Sequence, residues 1–289
     1  MDLRVLEYFL TVADEGNISH AAQLLHVSQP TISRQLIDLE EEIGKKLFVR
    51  TNKKVILTED GILFRQSAKD IMSLYAKART DRTEQGELAG DLYIMTGEIE
   101  SFELVAERIR EFHELHPKVL FHIHSGNAEE ICAAIDKGTV DIGYIVQSVD
   151  TMKYEVFNPG VAESWGVLVR NSHRLASKEF ITVEDLRGET LIVPENARLR
   201  NDIREWTGSK GHIGAAYTLL RNVMILTVIS DWVTICLETE KYVTDRLVFI
   251  PFSPKRTSSA SLIWRQAAVY RPVMREFLSF LEIQNMNNK

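Results

Sequence analysis

The sequence of 289 residues predicts an α+β multidomain protein: an N-terminal winged helix-turn-helix, a long linker helix and a C-terminal two-lobed α/β domain. Three observations support this prediction. Two short helical segments near the N-terminus are joined by a tight turn, one long amphipathic segment follows, and the remainder alternates strand-like and helix-like segments. The predicted bounds are 1–58 for the winged unit, 59–88 for the linker helix, and 91–289 for the α/β domain, with one lobe at about 91–160 and 266–289 and the other at about 161–265.

The segment His26–Leu36, HVSQPTISRQL, carries a proline within a helical pattern. Pro30 is tolerated in the first turn of a helix, where backbone N–H groups have no intrahelical partner, and Ser28 is a favoured N-cap. A second helix therefore begins here, directly after the helical segment that starts at Ser19. Two helices joined by so short a turn form a helix-turn-helix, whose second helix can lie in the DNA major groove. An ordinary capped helical hairpin would give the same local pattern.

Side chains at the start of this second helix have the chemistry that reads DNA. Gln29 can pair with adenine, and Arg34 can pair with guanine or phosphate. Thr31 and Ser33 suit a phosphate or a thymine methyl group. We therefore predict that the start of this helix contacts the bases.

A wing is predicted directly after the helix pair. The segment KLFVRTNKKVILT has the pattern of two short strands around a polar turn at 51–54. Its basic residues suit phosphate contacts, and Arg50 is long enough to enter a minor groove. The wing residues predicted to contact DNA are Arg50, Lys53 and Lys54, in a basic run that also contains Lys45 and Lys46.

The segment that starts at Thr58 predicts a long amphipathic helix, which Gly86 and Gly90 are expected to end. Its apolar stripe is longer than one small wing domain can cover. Pairing with the same helix of a second copy would cover this stripe, and we predict that Ile71 and Tyr75 lie in the contact. Packing of this helix on its own chain is the alternative.

Strands that alternate with helices predict α/β lobes built on mainly parallel sheets. Ligands in such folds lie beyond the carboxyl ends of strands, where the two lobes face each other. Plain capping and turn chemistry would place Ser, Thr and Asn at the same positions without a ligand. The candidate ligand-binding residues are Thr96, Gly97, Ser101, Ser125, Gly126 and Asn127 from one lobe, and Pro194, Glu195 and Asn222 from the other.

The charge of the expected ligand stays open at this stage. Helix N-termini favour an anion, but Glu98, Glu100 and Glu195 place negative charge near the same mouth. An arginine such as Arg198 or Arg221 could offset that charge. We expect a small polar metabolite between the lobes. Its predicted contacts are Thr96, Ser101 and Ser125.

Composition limits the other classes of function. The net charge of −7 averages over the whole chain, whereas phosphate binding needs only a local basic patch. No leader-like segment or membrane-spanning run is evident, so we expect a cytoplasmic protein without a membrane partner.

Histidines between 113 and 124 lack the spacing of a zinc site, and no catalytic pattern is evident, so no metal, cofactor or enzymatic activity is predicted. Cys132 and Cys236 lie in apolar segments and are interpreted as core thiols.

The N-terminal segment resembles the winged helix-turn-helix of LysR-type transcriptional regulators, bacterial DNA-binding proteins with a C-terminal effector domain. The residues that carry the resemblance are FLTVADEGNISHAAQLLHVSQPTISRQLIDLEEEIGKKLFVR and the LTEDG that follows. The second half is similar to the effector-binding domain of the same family, itself similar to periplasmic binding proteins. The matching pieces are GDLYI, FHELHPKVLFHIHSG, GTVDIGYI, HRLASKEFITVEDLRGETLI and REFLSFL. The sequence departs at SDWVTIC, where Ser230 and Trp232 stand at positions that the family often fills with glycine.

The resemblance implies a ligand-responsive, sequence-specific transcription regulator without a cofactor. It implies dimers that pair into tetramers on double-stranded DNA, and a small organic effector, commonly a carboxylate. RNA polymerase is a further candidate partner. Two alternatives stay open: a two-lobed solute- or substrate-binding protein, and a DNA-binding regulator without a small-molecule effector. The implied DNA-contacting surface is Gln29, Pro30, Thr31, Ser33, Arg34 and Arg50.

Overall fold

The computed structural model describes residues 2–50, 54–78, 86–147, 149–208, 210–238, 246–267 and 269–286, apart from the side chains of residues 50, 197, 198 and 282–286. The chain divides into two compact units, Met1–Arg79 and Thr80–Lys289. In the described residues, no helix is both long and apolar enough to cross a membrane.

The first unit contains a helix-turn-helix and a two-stranded wing. Strands β1 and β2 pair antiparallel, with Phe48 opposite Leu57. The elements, in chain order, are α1 (Leu3–Glu15), α2 (Ile18–Leu24), α3 (Gln29–Ile43), β1 (Phe48–Arg50), β2 (Val55–Leu57) and α4 (Glu59–Lys77).

Capping residues set the starts of α3 and α4 and the ends of α1 and α3 where the sequence predicted them. The Ser28 hydroxyl accepts a hydrogen bond from the Thr31 backbone N–H at 3.3 Å, and a proline occupies the first turn of α3. Gly16 and Gly44 end α1 and α3 with φ of +61° and +72°, a conformation that glycine adopts at little cost. Thr58 caps α4 by accepting from the Gly61 N–H at 2.9 Å. The predicted wing and helix pair are confirmed.

The first unit has one apolar core. Leu6, Phe9 and Ile32 are fully buried in it. Helix α4 also packs on this core, with Ala68 buried and Ile71 partly buried. In the described residues α4 ends at Lys77, before the glycines that were expected to end it.

The second unit is built from two sheets flanked by helices. A 3-10 turn at Val183–Leu186 precedes β8. The elements are β3 (Gly90–Thr96), α5 (Phe102–Leu115), β4 (Val119–Ser125), α6 (Ala128–Lys137), β5 (Ile142–Ile145), β6 (Tyr154–Phe157), β7 (Ala162–Arg170), β8 (Thr190–Pro194), α7 (Ala197–Thr207), β9 (His212–Tyr217), α8 (Leu220–Ile229), β10 (Val233–Leu237), β11 (Leu247–Pro251), β12 (Thr257–Ser259), β13 (Ser261–Arg265) and α9 (Pro272–Met286).

Each sheet is mixed, so the prediction of mainly parallel sheets is wrong. The first sheet has the order β4-β3-β5-β13-β6, in which the β3 pairings are parallel and the β13 pairings antiparallel. The second has the order β11-β7-β10-β8-β9, with β12 also on β7; the β8 pairings are parallel and the β7 pairings antiparallel. The physical reason is that the chain passes between the sheets twice, from β6 to β7 and from β12 to β13. The strands that follow each crossing, β7 and β13, pair antiparallel with their neighbours.

The two crossings lie side by side. Strand β12 pairs with the start of β7, and the Ala260 N–H donates to the Val161 carbonyl at 3.0 Å. The chain then enters the first sheet as β13, Ser261–Arg265. The predicted lobe boundary at residue 265 is therefore one strand too late, because β13 belongs to the first lobe.

Candidate DNA-binding surface and ligand cleft

Helix α3 presents its start to solvent because its apolar face is fixed in the core. Ile32, Leu36 and Leu39 are buried, with at most 2 % of each residue exposed. Arg34 lies on the opposite side and is exposed, and Gln29 is exposed as the first residue of the helix. The predicted DNA-contacting residues Gln29, Pro30, Thr31, Ser33 and Arg34 are thus brought together on the first two turns of one helix.

Short hydrogen bonds order this surface. The Gln29 Nε2 donates to the Ser33 Oγ at 2.8 Å, and the hydroxyl oxygens of Ser28 and Thr31 lie 2.7 Å apart. No described residue forms an ion pair with Arg34. The guanidinium of Arg34 therefore keeps its donors available for a phosphate or a base edge.

Glu40 anchors the wing to the end of α3. Its carboxylate is buried and accepts from the Leu47 and Phe48 backbone N–H groups at 2.9 and 3.0 Å, and from the Lys46 Nζ at 2.8 Å. Burial alone would raise the pKa of Glu40, but these hydrogen bonds outweigh it and hold that pKa below its ordinary value. This role was not predicted from the sequence, although Glu40 lies four residues after the buried Leu36, a spacing that places it beside the apolar face of α3.

The basic run of the wing is partly neutralised within the chain. Lys45 pairs with Asp60, and Lys46 pairs with Glu40. Lys54 is exposed. The Arg50 side chain and Lys53 lie outside the described residues, so their contact with DNA stays a prediction.

The outer face of α4 exposes large apolar side chains. The exposed fractions are 71 % for Leu63, 43 % for Leu74 and 48 % for Tyr75. Leu63 and Leu74 are separated by three helical turns and share one side of the helix. Ile71, in contrast, is partly buried against the core of its own unit, and its place in an intermolecular contact stays a prediction.

A cavity of about 120 Å³ lies between the two lobes of the second unit. Its walls come from the segments that follow β3, β4, β8 and β9, and from the ends of β5 and β10. Parallel strands point their carboxyl ends to the same edge of a sheet, which gathers these segments. Of the predicted ligand-binding residues, those that line the cavity are Gly97, Gly126, Asn127, Pro194 and Glu195.

The remaining predicted ligand contacts, Thr96, Ser101, Ser125 and Asn222, are not in the lining of this cavity. Thr96 is buried, and its hydroxyl donates to the Gly97 carbonyl at 2.9 Å. The Ser101 hydroxyl accepts from the Tyr144 OH at 2.9 Å. The hydroxyl groups of Thr96 and Ser101 are thus used within the protein, and the contact set of Thr96, Ser101 and Ser125 stays a prediction.

Aromatic and aliphatic side chains form much of the cavity wall, and none of them was predicted from the sequence as a ligand contact. Trp165 and Tyr217 line it, together with Ile131 and Leu199. Each lies in a strand or helix whose apolar pattern is typical of core. Their position at one edge of the sheets could be recognised only by knowing which strand ends meet.

Two polar contacts join the lobes beside the cavity. The Asn196 Nδ2 donates to the Glu129 Oε1 at 2.7 Å, and the Leu220 backbone N–H donates to the Glu98 carboxylate. Burial raises the pKa of Tyr217, as do the neighbouring Cys236 and Glu98. The Tyr217 hydroxyl donates to the Ile235 carbonyl at 3.0 Å and stays protonated.

The two cysteines are buried or half-buried, and His122 contacts an aromatic ring and a carboxylate. Burial raises the pKa of both thiols; Cys132 is half-buried on α6 and Cys236 is buried on β10. His122 stacks on Tyr93, with ring centroids 4.3 Å apart, and its Nε2 lies 2.7 Å from Asp91. Within the described part of the chain, no group of three or more His, Cys, Asp or Glu side chains could hold a metal ion.

A winged helix-turn-helix joined to a two-lobed α/β domain defines a class of DNA-binding regulators. The family model described as bacterial regulatory helix-turn-helix protein, lysR family, matches residues 3–62. The model described as LysR substrate binding domain matches residues 85–284. The chain belongs to the LysR family of transcriptional regulators.

Curated relatives are similar over much of the chain. The uncharacterized HTH-type transcriptional regulator YnfL of Escherichia coli K12 is 32% identical over 197 residues, which cover 66% of this chain and 65% of that protein. The DNA-binding transcriptional dual regulator OxyR of the same organism is 29% identical over 203 residues, covering 70% of this chain and 66% of OxyR. The chain thus spans about two thirds of the length of these relatives.

Solved structures share the fold. CbnR, a LysR family transcriptional regulator, matches with a TM-score of 0.76 at 22% identity, over 99% of both chains. Full-length CbnR in complex with its target DNA matches with a TM-score of 0.74 at 22% identity, over 98% of this chain and 99% of that one. The predicted fold class is confirmed.

Proposed function

We propose that the protein is a sequence-specific DNA-binding transcription regulator whose activity responds to a small molecule held between the two lobes. The observation that carries this proposal is the start of α3, where Gln29 and Arg34 are exposed while Ile32, Leu36 and Leu39 hold the helix in the core. This arrangement puts base-reading side chains on the helix that enters the major groove. The DNA complex of CbnR, a protein of the same fold, supports this assignment.

Partners and location follow from this function. Arg50, Lys53 and Lys54 remain the proposed phosphate contacts of the wing. RNA polymerase is a proposed partner, because a transcription regulator acts at promoters. A bacterial regulator of this kind acts in the cytoplasm, where it meets the chromosome. We retain 1–58, 59–88 and the residues from 91 onward as the proposed winged, linker and ligand-binding regions.

Arg34→Ala is expected to weaken binding to the operator by about 1–3 kcal/mol, because a base or phosphate loses a charged hydrogen bond. This is about 5- to 150-fold in Kd. Fluorescence anisotropy with DNA from upstream of the gene for this protein measures the change. Arg110→Ala is the matched control, since Arg110 is an exposed arginine on α5 that pairs with Glu114. Equal affinity of Arg34→Ala and wild type would remove Arg34 from the DNA-binding surface.

The exposed side of α4 is the proposed dimer contact. Leu63 and Leu74 are exposed on one side of the helix, with polar residues between them, and Tyr75 is exposed next to Leu74. The same helix of a second copy would remove these apolar side chains from water without any change in the fold. Pairs of such dimers are proposed to form the tetramer on DNA.

Leu74→Glu is expected to convert the dimer to monomer at micromolar concentration, because a buried unpaired carboxylate opposes association. Light scattering measures the mass. Ala76→Glu places the same charge at another exposed position on this helix and should leave the dimer intact. A dimeric Leu74→Glu variant, or a monomeric wild type, would show that the contact lies elsewhere.

A further inference from the structure

The helix N-termini at the cavity are already occupied by the chain's own side chains. Helices α6, α7 and α8 begin beside the cavity, where backbone N–H groups and the helix dipole favour an anion. At α6, Glu130 accepts from the Asn127 N–H at 2.9 Å in a capping box. At α7, the Asn196 side chain accepts from the Leu199 N–H at 2.9 Å. A carboxylate ligand would therefore compete with groups that belong to the protein.

Helix α8 shows this competition most directly. Its N-terminal residue Leu220 donates its backbone N–H to the carboxylate of Glu98, which comes from the opposite lobe. The residue before it, Leu219, provides no side-chain cap. Glu98 is thus a built-in anion at the position where a carboxylate ligand of the cleft would dock.

The charged side chains of the cavity wall have one sign. Among the described lining residues, Glu98 and Glu195 are acidic and none is lysine, arginine or histidine. No described side chain pairs with the Glu195 carboxylate. An anion in this cleft would therefore face two carboxylates, whereas a cation would gain a partner.

The rest of the wall suits the body of an organic cation. Trp165 and Tyr217 contribute aromatic rings, which attract cations through the negative charge of their faces. Ile131 and Leu199 add aliphatic surface. Gln147 offers an uncharged polar group for orientation.

We propose that the ligand of this cleft is a small organic amine in its protonated form, which pairs with Glu195, and that Glu98 keeps carboxylates out of the N-terminus of α8. This inference rests on the proposed function, in which the cleft holds the effector. It makes Glu98 and Glu195 the residues that determine the charge of the ligand.

Matched compounds of opposite charge test the proposal. The full-length protein is titrated by calorimetry with isopentylamine and isovalerate, benzylamine and benzoate, and putrescine and succinate. We expect at least one amine to bind tenfold or more tightly than its carboxylate partner. Glu195→Gln should weaken the binding of that amine about tenfold, because a charged hydrogen bond becomes a neutral one. Glu98→Gln keeps an oxygen for the Leu220 N–H but removes the negative charge. It should therefore strengthen the binding of the matching carboxylate compound.

Glu155→Gln serves as the control, because Glu155 is exposed on β6 and is not in the lining of the cavity. Its amine affinity should equal that of the wild type. A carboxylate that binds the wild type as tightly as its amine partner overturns the ligand class and leaves the proposed function standing, since the cleft still holds a small molecule. If none of the three amines binds, the ligand class is overturned, and the proposed function is decided separately by binding to DNA from upstream of the gene.

Discussion

Gly61→Ala is expected to destabilise the first unit by about 3 kcal/mol, at the upper end of the effect of overpacking. A methyl group at this position would lie 2.1 Å from the Leu47 carbonyl oxygen, which is far inside contact distance. That carbonyl cannot move freely, because it accepts from the Thr58 N–H at 3.0 Å. The Thr58 hydroxyl also donates to the Lys46 carbonyl at 2.7 Å, so the start of α4 is fixed against the wing.

Amide hydrogen exchange of peptides from residues 2–78 measures this loss in the full-length protein. A loss of 3 kcal/mol accelerates exchange about 150-fold where exchange needs unfolding of the unit. The four tryptophans all lie in the second unit, so their fluorescence shows whether that unit stays folded. Gly44→Ala is the control: its methyl group has no neighbour within 4 Å, and only its φ of +72° opposes it. We expect about 1 kcal/mol there. Equal losses at both glycines would contradict the steric explanation.

Glu40→Ala is expected to cost the first unit about 3 kcal/mol, because it leaves two buried backbone N–H groups and the Lys46 ammonium without their acceptor. Glu40→Gln should cost less, since its amide oxygen can still accept one of these bonds. The same exchange measurement gives both values. Glu41→Ala, at the exposed neighbour, should change stability by less than about 0.5 kcal/mol.

The pH dependence gives a second test of Glu40. Its pKa in the folded state lies below the ordinary value of 4.5, so the ionised carboxylate stabilises the folded unit. This contribution is fully present above about pH 4.5 and is lost as the pH falls through the lowered pKa. Glu40→Gln should remove this part of the acid destabilisation. A variant with the same acid profile as the wild type would show that Glu40 does not carry it.

The winged unit could be predicted from the sequence because local chemistry determines it. Ser28 and Thr58 cap helices that the apolar spacing had already indicated, and Gly16 and Gly44 end them. These signals act within a few residues, and each appears directly in the sequence. The partners of Glu40 lie six to eight residues away, across a turn, and no local pattern shows them.

The sheets and the cleft could be predicted only in outline. Alternation of strands and helices indicates two α/β lobes, but the pairing of β13 with β5 and β6 depends on how the chain returns from the second lobe. Thr96 and Ser101 follow a strand, as a ligand-binding residue should, yet their hydroxyl groups are used within the protein. Trp165 was missed because it comes from a strand that runs past the cavity, not from a loop after a strand.

Footprinting of the full-length protein on the DNA upstream of its own gene tests the central claim most directly. A dimeric winged helix-turn-helix regulator should protect half-sites spaced by about one helical turn, 10–10.5 base pairs, or a multiple of it. Protection should persist with excess unrelated DNA and weaken about 5- to 150-fold in Arg34→Ala. Uniform protection of any sequence with the same affinity, or no protection at all, would contradict the assignment of this chain as a sequence-specific regulator.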